Sequence, residues 1–272
     1  MNNFDKSPQV TVIVPTKNSG RTIKACLESI KTQSLSCTLV VVDNYSSDDT
    51  FQIAQSIADI AVQCGPERSA QRNHGASLTS DPIVGFIDSD MILTSDVVRE
   101  SVDAIQLGAA TVIVPEETIG EGYWAKVSTY ERSFYNGDDA IEAPRFFTRE
   151  VLDFVGGWDE TMTGAEDWDL AIRTESYGSR LRISSKIIHD EGRVKYFDIC
   201  LKKKYYASGV LIFLQKHRHT AFKSTLVRSW MKPKNLFNKF GIGLLLLKGG
   251  QGISMLFGIV RAKFGSTNDK FD

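Results

Sequence analysis

The chain has 272 residues, 42% hydrophobic and 24% charged, with a formal net charge of −1. That apolar content suits a sizeable core, in one large α/β domain or two smaller ones, and excludes a disordered chain. The four cysteines, Cys26, Cys37, Cys64 and Cys200, form no CxxC pair, which argues against a structural zinc site or a disulfide scaffold and fits a reducing compartment.

The near-zero charge hides a division. Residues 1–192 carry 16 Lys and Arg against 30 Asp and Glu, whereas residues 193–264 carry 15 basic residues and a single acid, Asp198. An acidic body with a basic tail suggests a polyanionic partner for the tail, a membrane surface or a nucleic acid. The opening "MNNFDKSPQ" lacks the apolar core of a secretion signal, so the reading is a chain that stays inside the cell.

In chain order, "VTVIVP" (10–15) and "TLVVVD" (38–43) are continuous β-branched runs, expected to be parallel strands buried on both faces. Between them "RTIKACLESI" places Ile23, Cys26, Leu27 and Ile30 at helical spacing, and a second helix follows around Ile53, Ala54 and Ile57. The alternation continues with "RSAQRNHGASLTS" as helix, "PIVGFID" (82–88) as strand, a helix from "SDVVRESVDAIQLG" with Ser95 as N-cap, and "ATVIVP" (110–115) as strand. Beyond Glu116 the pattern loosens into a helix at 123–136, a short strand near "PRFFTR", a helix at "EDWD", and a strand at "LRISSKIIH".

The tail holds "YYASGVLIFLQ" and "FGIGLLLLKGGQGISMLFGIV". Lys248 and a Gly-rich break divide the second stretch below the length needed to cross a bilayer. Basic residues beside moderate apolar stretches predict interfacial helices lying in the headgroup region, or helices packed on the body or on another subunit.

Ligands of open α/β sheets bind at the carboxyl ends of the strands. There "DSD" puts Asp88 and Asp90 on one side of an extended chain, with Ser89 between them. Two converging carboxylates suit a divalent cation, Mg2+ or Mn2+, which bridges naturally to phosphates. Asp43 closes "LVVVD", where a carboxylate accepts hydrogen bonds from a nucleobase or ribose, or else forms a turn with Asn44 and Ser46. Arg68 and Arg72, one helical turn apart, are candidates for phosphate or for surface ion pairs. The acids of "GAEDWDL", Glu166, Asp167 and Asp169, fit the first turn of a helix on dipole grounds alone.

Six segments, "VTVIVPTKNSGRTIKACLESI", "VVVDNYSSDDT", "GPERSAQRNHGA", "FIDSDM", "FVGGWDE" and "GAEDWDL", resemble in this order the family 2 glycosyltransferases of GT-A fold. The resemblance covers about residues 8–192. It implies a Rossmann-like, mixed, mostly parallel sheet flanked by helices, followed here by a basic amphipathic helical tail. The implied division is a catalytic domain over 1–192, with a nucleotide-sugar half at about 8–116 and an acceptor half at about 117–192, then a tail over 193–272.

The resemblance implies roles by position. Pro15, Thr16 and Asn18 line the nucleotide, Asp43 contacts the base, and Arg72 helps hold the donor. Asp88, with Ser89 beside it, and Asp90 bind ribose and the metal, and His189 in "KIIHDEGR" adds a further metal contact. Asp167 is the expected general base with Glu166 beside it, its proton affinity raised by neighbouring acids and partial burial. Trp168 and Trp158 are acceptor-side aromatics or core residues.

The expected activity is inverting transfer from a UDP- or GDP-sugar to a hydroxyl of a lipid-linked or glycan acceptor, a polyprenyl-linked glycan in polysaccharide or glycoconjugate assembly. The enzyme is expected to be metal-dependent and peripheral on the inner face of the cell membrane. Two rivals remain. A sugar nucleotidyltransferase would need a Gly-rich triphosphate loop, which "PTKNSGRT" lacks. A nucleic-acid module would use tail aromatics such as Tyr205, Tyr206, Phe213, Phe222 and Trp230, but the apolar runs there are too long for an open stacking groove, so no nucleic-acid partner is expected.

Overall fold

The computed structural model describes residues 10–139, 141–218 and 237–264. The described residues form two compact units, one from those within 10–119, 136–160 and 167–190, the other from those within 120–135, 161–166 and 191–264.

The first unit is built on a seven-stranded sheet. Its strands are β1 (Val10–Thr16), β2 (Thr38–Asp43), β3 (Ile60–Gln63), β4 (Ile83–Phe86), β6 (Ala109–Ile113), β8 (Phe146–Thr148) and β9 (Ser179–Arg182), in the order β3-β2-β1-β4-β8-β6-β9. β5 (Met91–Leu93) lies outside this sheet and pairs antiparallel with β10 (Ile187–Arg193). Strands β3, β2, β1 and β4 are parallel, and β8 runs antiparallel between β4 and β6.

The β-branched runs behave as strands buried on two faces. Val12, Val14 and Val41 pack into one apolar cluster with Ile23, Leu27 and Ile30 of helix α1 (Ile23–Lys31). Ile13, Val40 and Val42 point the other way, into a cluster with Phe86, Phe147 and Trp158. This is the alternation of a pleated strand, with helices covering both faces.

Helices α2 (Thr50–Ile57), α3 (Arg68–Ser77) and α4 (Val97–Gln106) link the strands as the apolar periodicity predicts. α3 lies close on the sheet: a Cβ at Gly75 would stand 2.6 Å from Ile13 Cγ2. That approach brings Gln71 and Arg72 to the strand ends, where Gln71 Nε2 donates to the carbonyls of Thr16 (3.0 Å) and Val42 (2.6 Å).

The chain winds outward from β1 to β3 and returns to β4 on the other side of β1. A crevice opens at such a reversal, outside the carboxyl ends of β1 and β4. Ser19 and Ser89 Oγ atoms meet there at 2.8 Å.

Several local expectations change. Asp96, not Ser95, holds the N-cap position of α4, and Ser95 Oγ donates to Asp96 Oδ2 (2.8 Å). "LRISSKIIH" divides into β9 and β10, because the Ser184 and Ser185 amides turn to donate to Glu100 Oε2 (2.8 and 2.9 Å). Helix α6 (Arg149–Val155) and strands β3 and β5, too short to stand out from periodicity, complete the unit.

β7 (Glu116–Glu121) leads from the first unit into the second, which is helical. Its helices are α5 (Gly122–Arg132), α8 (Tyr196–Tyr205), α9 (Ala207–Lys216) and α10 (Gly241–Phe264). α7 (Glu166–Glu175) belongs to the first unit from Asp167 onward.

The expected break in the tail is absent: α10 runs for 24 residues through Lys248 and the glycines. Packing is the reason. A Cβ at Gly250 would meet Tyr196 Oη at 2.1 Å, and one at Gly258 would meet Ala207 Cβ at 2.5 Å, so these glycines let α8 and α9 approach closely. Lys248 is held by Glu131 and by Gln251 Oε1 (3.3 Å). Such contacts offset the roughly 1 kcal/mol that each interior glycine costs a helix. By length and composition Gly241–Lys263 is therefore long and apolar enough to cross a membrane. Of the tail aromatics, Phe222 and Trp230 lie outside the described residues.

Candidate active site

β4 ends at Phe86, and two residues later Asp88 stands at the carboxyl end of the sheet. Arg72, fully buried on α3, donates from Nη2 to Asp88 Oδ1 (2.7 Å) and from Nη1 to Asp167 Oδ1 (3.1 Å). Its guanidinium lies 4.2 Å above the Trp158 ring, a cation–π contact that fixes its plane.

Arg145, which sequence reasoning did not single out, reaches Asp88 from the other side, with Nη1 3.5 Å from Oδ2. Its position follows from the sheet: the Arg145 amide donates to Val112 O (2.8 Å) and its carbonyl accepts from the Phe86 amide (2.9 Å). Burial would raise the Asp88 carboxyl, but Arg72 and then Arg145 outweigh it and hold the group far below the usual carboxylate range.

A second unforeseen residue, Glu116, opens β7. Its Oε1 accepts from Arg145 Nε (2.9 Å) and Nη2 (2.6 Å), and its Oε2 lies 3.8 Å from His189 Nδ1. Burial would raise this carboxyl, yet Arg145 first and His189 next bring it down to about 2. Arg145 is raised in turn: burial would lower it, but Glu116 and Asp88 prevail. His189 Nε2 lies 3.0 Å from Asp90 Oδ2. The side chains Asp90, His189, Glu116, Arg145, Asp88, Arg72 and Asp167 thus form one unbroken chain of charged and polar contacts.

The acids of "EDWD" diverge once helical. Asp169 is fully buried and accepts from Arg173 Nε (2.7 Å), Glu166 is buried, and Asp167 is part-open beside Arg72. The near neighbour of Asp167 is therefore a cation rather than the crowd of acids the sequence suggests. Trp168 is 41% exposed, and its Nε1 donates to Ile141 O (2.9 Å). Trp158 is buried, edge-on to Phe86 at 5.2 Å between centroids.

On the β1–β2 side, Pro15 and Thr16 are buried at the strand end, and Asn18 is exposed with φ 48°. Asn18 accepts from the Ser47 amide (2.8 Å), and its own amide donates to Ser46 Oγ (2.8 Å). Asp43 is fully buried; its carboxylate accepts from the Ser46 hydroxyl and amide and from Gln63 Nε2 (3.0 Å). That is the turn-forming use of the residue. Tyr45 and Ala165 also adopt left-handed φ, 50° and 65°. A non-glycine residue in that region stores backbone strain, and such strain clusters at functional loops.

Among the described residues no group of three or more His, Cys, Asp or Glu side chains stands together as a metal site. Asp88 is the reason the expected trio does not assemble, since both its oxygens face guanidinium groups. Asp90 and His189 do fit a divalent cation: a part-exposed carboxylate oxygen and an imidazole nitrogen converge 3.0 Å apart, and this donor set suits Mn2+ or a similar ion.

A mostly parallel sheet with helices on both faces, and acids at its reversal point, defines a GT-A-type α/β protein. The profile of glycosyl transferase family 2 matches residues 11–159, and the chain belongs to that family. The chain is 24% identical to the chondroitin synthase of Escherichia coli over 213 residues, covering 71% of this chain and 31% of that protein. It spans 27% to 60% of the length of the curated relatives it matches.

Among solved structures it resembles the mannosyltransferase PcManGT from Pyrobaculum calidifontis in complex with GDP-Man and Mn2+. That match has a TM-score of 0.59 at 18% identity, covering 96% of this chain and 88% of the other. It also resembles S. aureus TarS 1-349 in complex with UDP-GlcNAc, with a TM-score of 0.56 at 16% identity, covering 96% and 93%. At these identities the solved structures share the fold.

Proposed function

We propose that the chain transfers a sugar from a UDP- or GDP-sugar to a hydroxyl of a lipid-linked or glycan acceptor, with inversion at the anomeric carbon. The observation that carries this reading is the contact chain at the strand ends, which keeps Asp167 one guanidinium away from Asp88. Arg72 is buried, oriented and cationic, so its fixed guanidinium can exchange these carboxylates for a diphosphate, whose charge is higher. Asp167 then faces the acceptor hydroxyl and takes its proton as that oxygen attacks the anomeric carbon in line. Trp168, exposed on the same helix, offers the acceptor an aromatic face. A divalent cation held by Asp90 and His189 supplies positive charge against the leaving diphosphate when bound. The curated glycosyltransferase relatives, and solved structures of like fold in complex with UDP-GlcNAc or GDP-Man, support the nucleotide-sugar donor in this reading.

The helical unit supports an anionic membrane surface as the place of action. Ile242, Leu245, Leu246, Ile253, Leu256, Phe257 and Val260 recur at helical spacing along α10 and are all exposed. Exposed basic residues lie at both ends, Lys239 before the helix and Arg261 and Lys263 in its last turn. The opposite face carries Lys248 in its pair with Glu131, which a bilayer crossing would draw into hydrocarbon. An in-plane helix, with its stripe in the headgroup region, avoids that cost.

The test is release of nucleoside diphosphate from a panel of UDP- and GDP-sugars, with and without Mn2+ or Mg2+, in the presence of a membrane lipid extract. Metal-dependent turnover of one donor, raised by the extract and yielding inverted product, is expected. Pyrophosphate as the released species would point to nucleotidyl transfer instead, and a retained anomeric configuration would remove the single-base scheme.

A further inference from the structure

We infer that Glu116 is a positioning residue for His189, fixing which ring nitrogen is presented to a divalent cation beside Asp90. The inference rests on the metal-assisted donor reading above and adds a residue to it. Among the described residues the hydrogen bonds to Glu116 fall on Oε1, which takes both N–H groups of the Arg145 fork, at 2.9 and 2.6 Å, and is anchored by them. The other oxygen, Oε2, lies 3.8 Å from His189 Nδ1.

His189 is flanked by two carboxylates, with Asp90 Oδ2 3.0 Å from Nε2 and Glu116 beside Nδ1. A neutral imidazole has one N–H and one lone pair, so a single proton must choose between them. His189 would hold a cation beside Asp90 through the lone pair of Nε2, which would leave the proton on Nδ1 with Glu116 as its acceptor. The 3.8 Å separation is longer than a hydrogen bond. Drawing charge out of the ring through Nε2 would make Nδ1–H a stronger donor toward Glu116. A carboxylate behind a ligating histidine fixes its tautomer and raises its basicity, and losing such a partner weakens metal affinity by about 10- to 100-fold.

Glu116→Gln gives a sharp test because it keeps the shape and reverses the demand. Arg145 offers only donors, so the new amide oxygen stays on Arg145 and its NH2 group faces His189. Nδ1 must then accept, and the proton moves to Nε2, the nitrogen the cation needs. Binding of Mn2+ in the presence of UDP, and separately of GDP, would be followed by the electron paramagnetic resonance signal of free Mn2+. We expect the folded Glu116→Gln protein to bind Mn2+ about 10- to 100-fold more weakly than wild type. The Mn2+ activation curve for turnover should move by the same factor.

Unchanged Mn2+ affinity in a folded Glu116→Gln protein would overturn the inference. Asp90→Asn and His189→Gln separate it from the reading beneath it. If both weaken Mn2+ binding and Glu116→Gln does not, only the role of Glu116 fails. If neither does, the metal site itself fails. Should Glu116→Gln not fold, the wild-type chain still decides. It has four histidines, and the imidazole nitrogen resonances of His189, assigned by their loss in His189→Gln, must report the Nδ1–H tautomer with Mg2+ and UDP or GDP bound. The Nε2–H tautomer would refute it.

Discussion

In the sheet unit Phe86, Phe146 and Phe147 are at most 1% exposed, whereas in the helical unit Phe197, Phe237 and Phe257 are 74%, 88% and 65% exposed. The same side chain thus serves two purposes. In the sheet it fills space between layers that already cover one another, and the core is complete within the chain. In the helical unit the apolar residues inside, Leu244, Leu247 and Val127, form a small cluster, while the outer stripe of α10 has no cover of its own chain among the described residues. Charge follows the same division. The sheet unit holds the buried charges Asp43, Arg72 and Arg145 at its strand ends, beside the part-exposed Asp88. The helical unit half-buries Lys203, whose ammonium is pushed down to about 8 by desolvation, with Lys248 and Arg132 adding to that against the pull of Glu131.

Substitutions can break this contrast in decreasing order of effect. Asp167→Asn should leave donor binding nearly intact and cut turnover by about 10²- to 10⁴-fold, the usual worth of a general base. Near-normal steady-state turnover would remove Asp167 from that role. Phe147→Ala should lower stability by about 3–5 kcal/mol in denaturant unfolding, because the cavity it leaves is walled by a sheet and a helix that cannot collapse onto it.

Lys203→Met should act in the opposite sense. A lysine whose folded value lies below its ordinary 10.5 opposes folding fully below about 8, and less and less as pH rises from there to 10.5. Removing it should stabilise the helical unit by about 2–3 kcal/mol at neutral pH, an advantage that fades between pH 8 and 10.5. A gain in unfolding free energy that did not change with pH would show that packing, not charge, was responsible.

Phe257→Ser should change stability least, by about 0.5 kcal/mol or less, as expected of an exposed site. It should nevertheless weaken flotation with anionic vesicles about tenfold or more, since burying a phenylalanine is worth about 1.5–3 kcal/mol. Equal flotation of Phe257→Ser and wild type would mean that the stripe does not meet the membrane.

Much of this was legible in the sequence, for reasons that differ by element. The continuous runs "VTVIVP" and "TLVVVD" specify buried parallel strands because both faces of each strand must be apolar, and the helices between them carry a 3.6-residue period. "DSD" and "EDWD" advertise chemistry because acids are costly at such positions without a ligand or a partner. The continuity of α10 was not legible. Interior glycines read as a break until the helices packed against them are known.

The sequence by itself therefore determined the layered α/β sheet, the family, and the acids at its strand ends, all of them properties of local pattern. Only the tertiary structure decided what those acids face. Arg72 meets Asp167 across 95 positions, and His189 meets Asp90 across 99. Arg145 reaches Asp88 because β8 is inserted antiparallel between β4 and β6. No periodicity records such pairings, because they are fixed by strand order, and strand order is settled by the packing of the whole sheet.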